Sequence, residues 1–455
     1  MRNVWKHGAA LLRRLIWLGM GLQVLLGLFW MLNNMGIEHS FGVDWSSGGP
    51  HNRPFMQWGP LYPFAVRTIR GMAQWLHIPY YCIMYCLQLA AALGSGWFLL
   101  KSVTRWKWYG CLGGAVVLLS VPMAMQSHLA LLPYSFLGSV VVCQLGFVIL
   151  LWKQEKWSVR SLMPVYLCWL LELLLLPEYL WFGAIPLVLT AVVAVWRHRR
   201  KWAAGALTGI LVLGSVLCIL TVGTAWRQRE EGQLSMRQML AARCTWSNLY
   251  ELSGVWSPEL LEQVEWTTLR AACDNPEVFY EGFFDKLAQL PEEQQKTYLH
   301  QMIGSARDVN GKRMLLEIAY DAVGYLMPGA VIPKQLEGEG FVSLTGMNYW
   351  HFTRSQMGWS SLGLEWYCIW SWLSVLAVLL VKLAEILGSG KAEARTSLGE
   401  AGKLLIPGLL MAMAGMVFYT ISRIGVYDYK ILSWWTILWC AGTLILIEEK
   451  KKKEE

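Results

Sequence analysis

Glu38, Asp44, His51 and Arg53 stand close together, just after the first long apolar run of the chain. A carboxylate beside aromatic residues in a cleft is a candidate general base, because its surroundings can tune its pKa. The stretch GVDWSSGGPHNRPFMQWGPLYPF, Gly42 to Phe64, supplies those aromatics as Trp45, Phe55, Trp58, Tyr62 and Phe64. Left in water they are costly, so they require a partner, either a bilayer interface or another part of the chain. The plainer reading of such a loop is a solvated connector. Directly after it, WGPLYPFAVRTIRGMAQWL reads as a short amphipathic helix lying at an interface, with Trp and Arg as anchors.

Other polar side chains stand out against apolar surroundings. Glu172 interrupts an apolar helix, where a carboxylate is expensive and is functional by default. Its alternative is a place near the membrane face, hydrogen-bonded to a neighbouring helix. Glu178, in the short PEY, reads either as a site residue or as simple interfacial solvation. SRIGVYDYKILSWW carries Arg423, Asp428 and Lys430. These cations can bind an anion or pair with Asp428. His128, alone in MQSHLALLPYS, is more simply a satisfied polar residue than a catalyst.

The elements that must position these groups are membrane helices. Of the 455 residues 55% are hydrophobic and 15% charged, against about 25% charged in an ordinary soluble protein. The deficit is concentrated in segments long enough to span a bilayer, which takes about 20 apolar residues each. They start near Leu15, Pro79, Tyr109, Phe136, Leu162, Tyr179, Trp202, Leu362, Lys403 and Ile431, which predicts about ten transmembrane helices. The first, Leu15 to Leu32, is too long for a signal-peptide core and reads as a retained helix. The fifth and sixth are fused in one run that Pro177 must break.

Basic clusters orient this array. MRNVWKHGAALLRR, KSVTRWKW, KQEKWSVR, RHRRKW, GSGKAEARTSLGEAGK and EEKKKKEE all fall on the side of the N-terminus. The positive-inside rule makes that side cytoplasmic, so a multi-pass plasma-membrane protein with both termini inside is expected. The net charge of +8 is thereby assigned to topology, and no nucleic-acid partner is expected. The cysteines show no metal-ligand spacing, and Cys82 and Cys86, one turn apart, read as small packing residues. A disulfide between Cys244 and Cys273 is left open by the sequence.

The opposite side receives the loop of residues 33–75, PEY, SRIGVYDYK and the long segment 227–360. That segment reads as helical. SPELLEQVEWTTLRAA opens with a Ser cap and Pro at the first helical position. LPEEQQKTYLHQMIGSA and KRMLLEIAYDAVGYLM continue at helical spacing. The expected fold is an all-α polytopic membrane protein. It has an N-terminal transmembrane domain, 1–226, an extracytoplasmic helical domain, 227–360, and the last three helices with a basic tail, 361–455.

An N-in first helix, an outer loop with early acids, then GPLYPFAVRTI and a second membrane helix resemble the C-type glycosyltransferase superfamily. These polytopic enzymes use lipid-phosphate sugar donors and include protein mannosyltransferases and bacterial aminoarabinose transferases. Tyr62-Pro63 after the loop, LLPYS, LLLLPEYLWFGAIP and the late YDYKILSWW, with Tyr427 and Lys430, also look similar. The resemblance covers residues 1–226 and 360–450 and is one of layout and short words. The paired acid common in that loop is absent, since Glu38 and Asp44 are separate. The resemblance implies a catalytic carboxylate in the first loop, Asp44 or Glu38. It further implies contacts to substrate from Arg53, His51, Trp58, Tyr62, Glu178, Arg423, Tyr427 and Lys430. It implies no metal and no cofactor beyond the polyprenyl-phosphate sugar as co-substrate, with membrane lipid and a glycan, lipid or protein acceptor as partners. Two other classes stay open: a transporter or flippase, for which Glu172 speaks, and a catalytically inactive envelope scaffold whose 227–360 segment binds a partner.

Overall fold

The structure is a computed structural model. It describes residues 61–104, 106–120, 133–154, 159–176, 180–197, 254–263 and 289–326, with single helical positions within 18–25, 209–216 and 410–417. Every regular element among them is an α-helix.

Helix α1, Leu61–Leu76, buries Tyr62, Val66, Ile69 and Ala73. These positions recur at four- and three-residue steps and form one stripe along the helix. Phe64, Met72 and Trp75 project from the remaining surface, with Trp75 80% exposed. Both faces are thus apolar in part, as the interfacial reading of this segment requires. The helix ends in a Schellman turn. Ile78 N–H reaches back to Ala73 O at 3.1 Å and His77 N–H to Gln74 O at 3.4 Å. His77 takes the left-handed conformation, φ 54°, a region costly for any residue with a Cβ. Replacing His77 with glycine is therefore expected to stabilise the protein by about 1 kcal/mol, read from the midpoint of unfolding in mixed detergent micelles. An unchanged or lowered midpoint contradicts this account of the turn.

Pro79 then starts α2, Tyr80–Val103, and Arg70 of α1 lies over the Tyr80 ring, 4.9 Å from its centroid. Helix α3 spans Trp108–Leu119 and α4 spans Tyr134–Lys153. Helix α2, together with Ser135–Lys153 of α4, is long and apolar enough to cross a membrane. At 1.5 Å per residue each matches a hydrocarbon core of about 30 Å. Beyond these, α3 and Ser161–Leu175 are shorter apolar helices. The described residues thus supply two spans by this measure; the span expected from Leu162 is described in full and is a shorter apolar helix, and the other expected spans fall partly or wholly outside the described residues.

α2 packs most extensively on α4. Small residues let them meet: Ala92, Ser95 and Gly96 are buried on α2. Phe98 lies so close over Gly146 of α4 that a Cβ there would stand 2.7 Å from the ring. Close approach over small side chains is how helices associate where lipid removes the hydrophobic drive. Cys82 is half-buried and Cys86 exposed on α2, both as free thiols, so Cys86 does not pack into the bundle.

The C-terminal ends of α2 and α4 lie side by side. Lys153 Nζ donates to Ser102 O at 2.6 Å and Val103 O at 3.3 Å. Those carbonyls belong to the last turn of α2, which lacks intrahelical donors and carries the negative end of the helix dipole. Lys101 Nζ donates to Trp106 O at 3.2 Å, so Lys101 and Lys153 both lie at this end of the helix pair. Lys153→Met is expected to cost about 1 kcal/mol by uncapping α2, measured as a lower midpoint in the same unfolding assay. Lys153→Arg should recover part of it, and an unaltered Met variant rules out the cap.

Helices α5, Val159–Leu175, and α6, Leu180–Arg197, form a hairpin. The break falls just before Pro177, where the sequence requires it. Pro164 and Pro186 sit inside helices without ending them. The main core lies between α4, α5 and α6: Val148, Leu151, Trp152, Val165, Tyr166, Trp169, Leu173 and Leu187.

Two further helices come from the expected extracytoplasmic segment. α7 spans Pro258–Gln263 and α8 spans Glu292–Leu326. Ser257 Oγ accepts from Leu260 N–H at 3.4 Å, an N-cap placed just ahead of Pro258. Trp256 Nε1 donates to Ser305 Oγ at 2.9 Å, and Leu260, Leu299, Met302 and Ala306 are buried. The two helical stretches expected around KRMLLEIAY are one continuous 35-residue helix. Gly311 does not break it, since one glycine costs only about 1 kcal/mol against alanine. Its first turn pairs Lys296 with Glu292 at 2.8 Å. That contact holds the Glu292 carboxyl below and the Lys296 ammonium above their usual values.

Candidate functional site

Of the residues expected to act on substrate, Glu38, Asp44, His51, Arg53, Trp58, Glu178, Arg423, Tyr427 and Lys430 lie outside the described residues, as does the Cys244 and Cys273 pair. Tyr62 is described. It sits on the inward stripe of α1, 1% exposed, with its ring tilted against Phe136 at 6.4 Å between centroids. Phe136 belongs to the first turn of α4. α1 also contacts α2 and α5. Tyr62 therefore ties the start of α1, where the outer loop ends, to the neighbouring bundle.

Glu172 is the other polar residue singled out by the sequence that the structure describes. It lies in the last turn of α5 and is 0% exposed. Neither carboxylate oxygen has a hydrogen-bond partner among the described residues. Oε2 packs against Gly183 of α6, so closely that a Cβ at that position would collide with it. Trp169, one turn earlier on α5, bounds the same spot. Its indole leaves no room for a side chain at Gly183, 3.0 Å from an added Cβ, or at Gly214, 2.7 Å.

A second buried polar group converges on Gly183. Gln144, midway along α4, is 0% exposed. Its Nε2 donates to Gly183 O at 3.2 Å and, more weakly, to Val165 O at 3.4 Å. One carboxamide thus joins α4 to both α5 and α6. Its oxygen, Oε1, has no hydrogen-bond partner among the described residues. The Tyr166 hydroxyl on α5 also lacks one among them, and so does not reach the carboxylate.

The sequence pointed to Glu172 by its charge but passed over Gln144. The available signal was an amide in the uncharged VVVCQLGFVILL. Such a group needs a partner wherever water is excluded. Together Gln144, Glu172 and the Gly183 backbone form a small, buried, oxygen-rich cluster at the junction of three helices. Oxygen acceptors without donors can hold a proton or a small cation. Among the described residues no three His, Cys, Asp or Glu side chains group as metal ligands.

Comparison of the chain with known protein families, with characterised proteins and with solved structures finds no match.

Proposed function

We propose that the protein is an integral-membrane glycosyltransferase. It moves a sugar from a polyprenyl-phosphate donor to an envelope acceptor at the extracytoplasmic face. The observation that carries this reading is α1. An amphipathic helix with a buried Tyr62, Val66, Ile69 and Ala73 stripe and an outward Phe64 and Trp75 follows directly on the acid-bearing loop. Such a helix suits a substrate whose tail stays in lipid while its sugar stands at the interface. Basic clusters that fall on one side of all the expected spans support an outer position for the loop.

The chemistry divides among the loop and the late outer segment. Asp44 or Glu38 takes the proton from the acceptor hydroxyl as it attacks the sugar. Arg423 and Lys430, with Arg53, hold the lipid phosphate as it leaves and accumulates charge. Trp45 and Trp58 flank the sugar or lipid, with His51, Glu178 and Tyr427 as further contacts, while Tyr62, expected beside them, is buried against Phe136 and anchors the start of α1. The test is the purified full chain in liposomes with a polyprenyl-phosphate sugar carrying a labelled sugar. Label passing to an acceptor, with release of polyprenyl phosphate, supports the reading. A donor pool left intact across acceptor glycans, lipids and peptides argues against it.

One observation favours a second reading, a membrane transporter or flippase: the buried Glu172 without a partner among the described residues. Intramembrane carboxylates mark proton and ion paths. Label appearing inside the liposomes on an unaltered donor lipid would select that reading.

A further inference from the structure

We propose that the carboxylate of Glu172 and the carboxamide oxygen of Gln144, on side chains that both touch Gly183, form a buried site for a monovalent cation, a proton or Na⁺. The proposal stands apart from sugar transfer, which requires no such site.

Three observations converge. Glu172 is 0% exposed and both its oxygens lack hydrogen-bond partners among the described residues. Gln144 is also 0% exposed, and its amide is fixed in direction. Nε2 is committed to the Gly183 and Val165 carbonyls, which can only accept, so Oε1 is the atom left over. Both side chains meet at Gly183, whose missing Cβ is what allows the carboxylate to sit there. The unmatched atoms are therefore the two oxygens of a carboxylate and one carboxamide oxygen, all acceptors around one glycine.

No cation is paired with Glu172 among the described residues. Its titratable neighbours are Cys168, one turn earlier on α5, and Cys143 on α4, both free thiols, with Tyr166 farther along α5. The described side chains of α6 between Gly183 and Thr190 include none that titrates. From α1, which also touches α5, the charged groups are Arg67 and Arg70, the latter over Tyr80. A bare carboxylate at this depth is costly. Binding one positive charge removes the cost and gives the oxygens a partner. One carboxylate with no second acid beside it among the described residues balances a single positive charge, which favours a proton or Na⁺ over a divalent ion.

The experiment uses the full chain in liposomes and dicyclohexylcarbodiimide, an apolar reagent that modifies protonated carboxyls. The adduct is located by peptide mass spectrometry. Expected is an adduct on Glu172, absent in Glu172→Gln, with a rate that depends on the occupant. For a proton site, the rate is unaffected by Na⁺ and falls about tenfold per pH unit once the proton is lost. For a Na⁺ site, it falls about tenfold at fixed pH when Na⁺ reaches ten times its half-protecting concentration, as mass action requires. Gln144→Leu, which removes the second oxygen, should shift the protecting concentration or the pH midpoint about tenfold. Glu172→Gln keeps shape and serves as the folded control. No adduct on Glu172 between pH 5 and 9, or labelling indifferent to both pH and Na⁺, overturns the proposal. So does a Gln144→Leu variant that folds and labels like the wild type.

Discussion

Replacing Gly183 with valine is expected to destabilise the protein by about 3 kcal/mol, the upper end of the range for overpacking a filled interior. Position 183 faces two side chains at once. A Cβ added there overlaps Oε2 of Glu172 and stands 3.0 Å from the Trp169 ring. The glutamate tip could bend away, but it lies buried between α5 and α6. The indole cannot retreat, because its far edge already abuts Gly214. The overlap must then be relieved by separating the hairpin, which breaks the Gln144 bond to Gly183 O. The midpoint of unfolding in mixed micelles reads the loss. A double-mutant cycle with Glu172→Ala isolates its source. Removing the carboxylate should recover about 1 kcal/mol or more of the penalty, as expected for side chains in direct contact. Additive effects of the two substitutions mean that the glycine serves something other than the carboxylate.

The second large effect belongs to the outer loop. Under the proposed transfer reaction, one of Asp44→Asn and Glu38→Gln should lower turnover about 10²- to 10⁴-fold, the usual contribution of a positioned base. The other should change it little. Both substitutions keep shape and remove only the charge, so binding of the donor lipid should survive in either. The pH profile adds a readout that misfolding would not mimic. Wild-type turnover rises with pH until the base has lost its proton, and the variant lacking the base loses that rising limb. Full activity in both variants removes the loop carboxylates from the mechanism. Loss of biological function on deleting residues 227–360, with both acids dispensable, favours the scaffold reading instead.

Some of the fold is legible from single residues. Pro177 marks the α5–α6 break because a ring without an N–H disfavours continuation of a helix. Pro164 and Pro186 carry the same chemistry and do not end theirs. The difference lies in packing, which the residue type cannot express. Tyr62 was legible as part of an aromatic-rich entry to a helix. Its burial against Phe136, more than seventy positions away in the sequence, was not. Ser257 and Pro258 announced a helix start through local capping chemistry, and that start is where it was expected. The two stretches with helical spacing farther on join in one helix, Glu292–Leu326, since the glycines within it each cost only about 1 kcal/mol.

By itself the sequence determined the helical class and the amphipathic entry helix, and of the about ten spans it predicts, two described helices are long and apolar enough for a membrane. These follow from hydropathy and period, which act over one or two turns. It also marked Glu172, because a charge among apolar residues needs no partner to be noticed. Only the tertiary structure decided what Glu172 faces. Gln144, Glu172 and Gly183 come from three helices, and each is unremarked in its own segment except for the charge. Their meeting depends on the absence of a Cβ at one position and on an amide whose two N–H groups are spent on backbone carbonyls. Hydrogen bonds and steric exclusion act over a few ångströms between residues distant in the chain, so packing alone could bring those oxygens together.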